Sequence, residues 1–169
     1  MIVFVFVFGL VSIISSCNLN SSQSEQENKN NESQKISHKL LKTENKLVGA
    51  NQMKLFIGEE EVDVNWEKNA TIHDIYADVQ KNDLVIPMSK YGGFEQVGEL
   101  GKSYIVDDKQ MTTQIGDIVL YNGDNIVMFY GENSWRYTKL GEINLPQKEI
   151  IDKLSKSNLK IRLTCEWKN

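Results

Sequence analysis

The residues best suited to binding chemistry form a short run rich in glycine and aromatic side chains, joined by two aromatic residues further along the chain. The candidate ligand-binding residues are Tyr91, Gly92, Gly93, Phe94, Glu95, Trp135 and Tyr137. Adjacent glycines let a backbone approach a ligand closely, and aromatic rings supply a large contact surface with a polar tip. The cluster therefore predicts a groove for a peptide or a small molecule. In the alternative arrangement, the glycines form a bulge and the aromatic side chains fill the core.

Other candidate chemistry is sparse in this sequence. His38 and His73 have no histidine, cysteine or carboxylate neighbour at metal-ligand spacing. The sequence contains no phosphate-binding loop, dinucleotide fingerprint or Gly-x-Ser-x-Gly elbow. Cys165 falls on the apolar face of a predicted strand, which favours a buried, unreactive thiol. We therefore expect neither a metal nor a cofactor.

The composition is that of an ordinary globular protein, with 40% hydrophobic and 25% charged residues in a chain of 169. It excludes a fibrous repeat and a multispan membrane protein, and the length suits one domain of moderate size. The net charge of −4 argues against a nucleic-acid partner, because such binding needs a basic surface. All three Trp and all six Tyr lie within residues 53–169, so we expect the folded domain there.

The first 16 residues are apolar and uncharged, which is typical of a secretory signal peptide and too short for a spanning helix of about 20 residues. They end in Ile14-Ser15-Ser16-Cys17, which resembles a bacterial lipobox. That resemblance implies lipidation of Cys17, which becomes the mature N-terminus and anchors the protein to the membrane on its extracytoplasmic side, in the cell envelope. An uncleaved anchor helix or a simple secretory signal is the alternative, since no Lys or Arg precedes Cys17.

Residues 17–52 follow as a polar segment dominated by Asn, Ser, Gln, Glu and Lys, without an aromatic residue. Such a segment cannot bury enough apolar surface to offset its chain entropy. It predicts a disordered tether that holds the domain off the membrane.

Residues 53–169 read mainly as β-strands. Residues 117–121 and 126–130 are rich in β-branched and aromatic residues and flank an Asn-Gly pair, which predicts a hairpin. Two short helices are predicted, one beginning near Thr71 and one over residues 145–154, whereas the glycine-rich residues 91–101 predict an irregular or bulged loop. The pattern predicts a small closed antiparallel β-barrel with two short covering helices.

Five stretches of the domain resemble, in the same order, a family of small bacterial proteins with a cyclophilin-like barrel. These stretches are residues 91–98, 110–113, 116–121, 126–131 and 133–141. The resemblance implies the cyclophilin-like fold over the whole domain. It implies little about activity, because a fold does not determine chemistry.

Prolyl isomerisation by a true cyclophilin needs an apolar pocket and an arginine at the twisting amide. The arginines here are Arg136 and Arg162, and neither lies in the cyclophilin pattern of Phe-x-Arg followed by Phe-x-x-Gln. Arg136 stands between two aromatic residues, and on a strand it points away from both. We therefore expect a non-catalytic binding module. The alternative is a divergent peptidyl-prolyl isomerase of secreted proteins, with Arg136 as its catalytic residue.

Overall fold

The computed structural model describes residues 53–165. The predicted signal peptide (residues 1–16), the predicted lipidation site Cys17 and the predicted tether (residues 17–52) lie outside the described residues. So do residues 166–169 at the end of the predicted domain.

Eleven strands and two helices make up the described part of the chain. In chain order they are β1 (Met53–Ile57), β2 (Glu60–Val62), β3 (Val64–Trp66), α1 (Ala70–Val79), β4 (Leu84–Pro87), β5 (Ser89–Tyr91), β6 (Glu95–Glu99), β7 (Lys109–Thr112), β8 (Asp117–Tyr121), β9 (Asn125–Phe129), β10 (Ser134–Ile143), α2 (Gln147–Leu154) and β11 (Lys160–Cys165).

The strands form two antiparallel sheets. The smaller sheet has the order β2-β1-β11-β4, and the larger has the order β3-β10-β8-β9-β6-β5, with β7 paired to β10 beside this path. β1 and β11 pair along their length, from Met53 opposite Cys165 to Ile57 opposite Ile161. The predicted mainly β fold with two short helices is confirmed for the described residues.

The prediction of a closed barrel is wrong. Among the described strands, the smaller sheet ends at β2 and β4 and the larger ends at β3 and β5, so neither closes on itself. Three of these four end strands have only three residues. The fourth, β4, contains Pro87, which has no N–H to donate to a further strand. The sequence pattern shows where strands form, but not whether the end strands pair.

The core lies between the two sheets because alternate residues of each strand point toward the other sheet. Leu55 and Leu163 from the smaller sheet meet Ile118, Leu120 and Met128 from the larger one, and all five are fully buried. The two helices add their apolar faces to the same cluster.

Helix α1 begins at Ala70, close to the predicted start near Thr71, but its cap is a different residue. Asn69 caps it, since its Oδ1 accepts a hydrogen bond from the Ile72 N–H at 2.9 Å. Thr71, near which the helix is predicted to begin, donates from Oγ1 to the Ile105 carbonyl at 2.6 Å. In the part of the chain that the structure describes, no helix has the length and apolar character needed to cross a membrane.

Two hairpins shape the larger sheet. The predicted hairpin of β8 and β9 is confirmed, and it turns through Asn122 and Gly123, both with positive φ (53° and 82°). The prediction of an irregular loop over residues 91–101 is wrong, because β5 and β6 pair here as a second hairpin. Gly92 and Gly93 form its turn with φ values of 59° and 80°, which glycine adopts without steric cost.

The larger sheet also carries apolar side chains on the face turned away from the main core. Val119, Val127, Phe129 and Tyr137 are buried there. We call this side of the larger sheet the outer face.

Candidate functional site

An open cavity lies on the outer face. Its volume is about 370 Å³, within the range of about 300–1,000 Å³ that is usual for small-molecule sites. The nine side chains that line it are Tyr91, Glu95, Val97, Tyr121, Asn125, Val127, Asn133, Trp135 and Tyr137.

The alternation of side chains along the strands places these residues on one face. Glu95 and Val97 are two residues apart on β6, as are Trp135 and Tyr137 on β10, so each pair points to the same side. Strand register then sets Val97 opposite Val127 of β9. The two valines thus lie side by side, with β5 (Tyr91) beyond β6 and β8 (Tyr121) beyond β9.

Four of the lining side chains are aromatic. The rings of Tyr121 and Tyr137 meet edge to face, with centroids 5.9 Å apart and planes at 64°. Tyr91 and Trp135 are instead 66% and 57% exposed. Two large exposed rings at one cavity are typical of a surface that contacts a ligand or a partner.

Glu95 is the ionisable carboxyl group of this cavity. The residue is only 6% exposed, and its Oε2 atom is buried without a hydrogen-bond partner. Burial disfavours the charged form and raises the pKa of Glu95 to about 7. The side chain is therefore poised between its neutral and ionised forms near neutral pH, which is common at functional sites.

The charge of Glu95 raises the pKa of two nearby tyrosines. Burial raises the pKa of Tyr137, and the nearby Glu95 carboxylate raises it further. The same two causes, in the same order, raise the pKa of Tyr130, which follows β9. Both hydroxyls therefore stay protonated at neutral pH.

Each asparagine of the cavity donates one hydrogen bond from its amide group to a neighbouring side chain. Asn133 donates from Nδ2 to the Tyr137 hydroxyl at 2.8 Å and accepts at Oδ1 from the Ser134 N–H at 3.0 Å. Asn125 donates from Nδ2 to Asp124 at 2.6 Å. These bonds hold both side chains in place and leave Glu95 Oε2 unpartnered.

The structure brings together four of the seven candidate ligand-binding residues. Tyr91, Glu95, Trp135 and Tyr137 line the cavity. Gly92 and Gly93 form the adjacent turn, and Phe94 stacks on Phe129 with ring centroids 6.4 Å apart, so these three are not in the lining. That any of the seven binds a ligand stays a prediction.

Five further lining residues do not stand out in the sequence, and these are Val97, Tyr121, Asn125, Val127 and Asn133. Alternation could have added Val97, because it shares a strand face with Glu95. The others come from β8, β9 and the segment before β10, and only the strand order brings these next to β6.

Arg136 and Cys165 both lie outside the cavity. Arg136 points away from its aromatic neighbours, as predicted, and donates from Nη2 to the Asp108 carbonyl at 2.7 Å. Cys165 is buried, and burial raises the pKa of its thiol, which keeps it protonated and unreactive.

Among residues 53–165, no group of three or more His, Cys, Asp or Glu side chains is placed to hold a metal ion.

Comparison with known proteins gives one family match and one structural match. The family model described as the cyclophilin-like family matches residues 55–166. No curated protein matches the chain.

Among solved structures, the chain is similar to one titled "Structure of McbB in complex with tryptophan". The two are 11% identical with a TM-score of 0.46, and the match covers 70% of this chain. It covers 46% of the other chain, so this chain spans about half the length of that relative. A likeness this distant carries no argument about function.

Proposed function

The chain belongs to the cyclophilin-like family, and from that premise we propose that its outer-face cavity binds a small molecule or a peptide side chain without catalysis. The observation that carries the proposal is the combination of a buried carboxyl oxygen without a partner and two exposed aromatic rings at one cavity. A ligand that fills the cavity would cover the two exposed rings and lie beside the Glu95 carboxyl group.

The chemistry of the lining supports binding rather than catalysis. Its side chains comprise one carboxyl, aromatic rings, two amides and two valines, with no histidine, lysine, arginine or cysteine. A catalytic nucleophile needs an adjacent base, a lowered pKa or a metal to activate it, and among residues 53–165 the lining holds no hydroxyl or thiol nucleophile beside a histidine or lysine base. Arg136, which an isomerase mechanism would use, is hydrogen-bonded to Asp108 outside the cavity.

We propose further that the domain works in the cell envelope, outside the cytoplasm. The apolar, uncharged residues 1–16 and the lipobox-like Ile14-Ser15-Ser16-Cys17 support this location. A lipid on Cys17, with residues 18–52 as the tether, would keep the cavity near the membrane surface.

The binding proposal is tested by ligand-observed NMR of the full chain, in non-ionic detergent, against a library of metabolites, peptides and fragments. Trp135→Ala should weaken each hit by at least about tenfold, because it removes a wall of the cavity. The matched control is Ile105→Ala, since Ile105 is equally exposed (55%) and lies outside the lining. Equal losses in the two variants, or no hit at all, would overturn the proposal.

A protease-coupled assay on proline peptides tests the isomerase alternative. We expect no rate above the uncatalysed one. A rate that disappears in Arg136→Ala would replace the binding proposal with the isomerase.

A further inference from the structure

We infer that the ligand of the outer-face cavity carries a protonated amine, which binds to both the Glu95 carboxylate and the surrounding aromatic rings. This inference rests on the proposed binding function and specifies its ligand class. It concerns the ammonium group itself, whether a free amine or a lysine side chain carries it.

The first support is the missing partner of Glu95. Glu95 is only 6% exposed, and a carboxylate this buried is destabilised unless a donor or a cation pairs with it. No cationic side chain of the described residues lines the cavity, and the Asn125 and Asn133 amides each donate one hydrogen bond elsewhere. No positive charge of the described lining thus compensates the carboxylate, and an N–H⁺ group on a ligand would satisfy both the charge and a hydrogen bond.

The second support is the aromatic wall. Tyrosine and tryptophan rings attract cations through their electron-rich faces, and Tyr91, Tyr121, Trp135 and Tyr137 surround the site. An anion would meet the negative charge of Glu95. A neutral alcohol would supply a donor but would leave that charge uncompensated.

The ionisable side chains that line the cavity with Glu95, or whose pKa its charge raises, are all tyrosines. They are Tyr91 on β5, Tyr121 on β8, Tyr130 after β9 and Tyr137 on β10. The raised pKa values of Tyr130 and Tyr137 keep both hydroxyls neutral in this pH range. Because the pKa of Glu95 is about 7, the carboxylate that receives the amine is largely lost at pH 6. The affinity for an amine should fall with it.

The experiment uses three probes of similar size with the full chain in non-ionic detergent: benzylamine, benzyl alcohol and benzoate. Titration is followed by the indole N–H resonance of Trp135. At pH 8 benzylamine should bind at least about tenfold more tightly than benzyl alcohol, and benzoate more weakly than either. From pH 8 to pH 6 the benzylamine affinity should fall by about tenfold.

Two variants assign this preference to Glu95. Glu95→Gln should remove both the preference for benzylamine and its pH dependence. Glu99→Gln, which removes an exposed carboxylate from the same strand outside this cavity, should keep both.

The inference is overturned if benzyl alcohol binds as tightly as benzylamine, or if Glu95→Gln keeps the preference. Either result leaves the proposed binding function intact, because a ligand still occupies the cavity. Absence of binding by all three probes also overturns the inference, and the library screen then decides separately whether the binding function fails.

Discussion

At the scale of single residues, the burial of the Glu95 carboxylate lowers the stability of the folded domain. An unfolded glutamate titrates near its ordinary pKa of 4.5, whereas the pKa of folded Glu95 is about 7. Between these two values the folded state binds more protons than the unfolded state, so stability falls as pH rises through this window. Such a cost is typical of a residue retained for binding rather than for folding.

The variant Glu95→Gln should therefore be more stable than the wild type at pH 8, by about 2–3 kcal/mol, and nearly equal to it below pH 4.5. The reason is that glutamine has the same shape and never ionises. Urea denaturation at pH 4.5, 6 and 8 measures the difference, with Glu99→Gln as the control. A Glu95→Gln difference that stays constant with pH would contradict the burial of an unpaired carboxylate.

Residues of the site could be predicted from the sequence where the signal is local. Tyr91 and Glu95 flank a turn marked by two glycines, and Trp135 and Tyr137 share one face of a single strand. Tyr121 and Val127 could not be found in this way, because they reach the cavity only through the pairing of β6 with β9 and of β9 with β8. That pairing depends on contacts between distant parts of the chain.

At the scale of elements, the features that depend on a local turn could be predicted from the sequence. The features that depend on long-range packing could not. The Asn122-Gly123 turn fixed the β8–β9 hairpin in advance, because both residues tolerate positive φ. Whether the outermost strands close a barrel depends instead on how the two sheets meet. Gly98 of β6 lies at such a meeting point, since a Cβ added there would come within 2.5 Å of both Ile86 and Met88.

Gly98→Ala should destabilise the domain by about 1–3 kcal/mol through overpacking. Alanine in place of glycine normally stabilises a strand. A loss of stability would therefore be due to the contact of the new Cβ with Ile86 and Met88. Thermal or urea unfolding measures it, with Ser89→Ala on the exposed strand β5 as a neutral control. An unchanged or increased stability for Gly98→Ala would show that the sheets do not approach each other this closely.

At the scale of the whole molecule, the proposed account joins a lipid anchor, a tether and a binding domain. Cys17 and Cys165 are the two cysteines of the chain, and only Cys17 follows a lipobox-like sequence. The proposed lipidation of Cys17 and the burial of Cys165 would give the two thiols different roles.

Expression in a bacterium with labelled palmitate tests the anchor. The wild type and Cys165→Ala should both carry the label and sediment with membranes, whereas Cys17→Ala should carry none. Label that survives in Cys17→Ala, or that is absent from the wild type, would exclude the lipoprotein interpretation.

The central claim is that the outer-face cavity is the binding site. Mapping the tightest-binding compound on the full chain by two-dimensional ¹H–¹⁵N NMR tests it most directly. The account predicts chemical-shift changes concentrated at Glu95, Val127, Trp135 and Tyr137, where β6, β9 and β10 line the cavity. Shift changes concentrated instead on the smaller sheet or on α1, with these four residues unaffected, would contradict it.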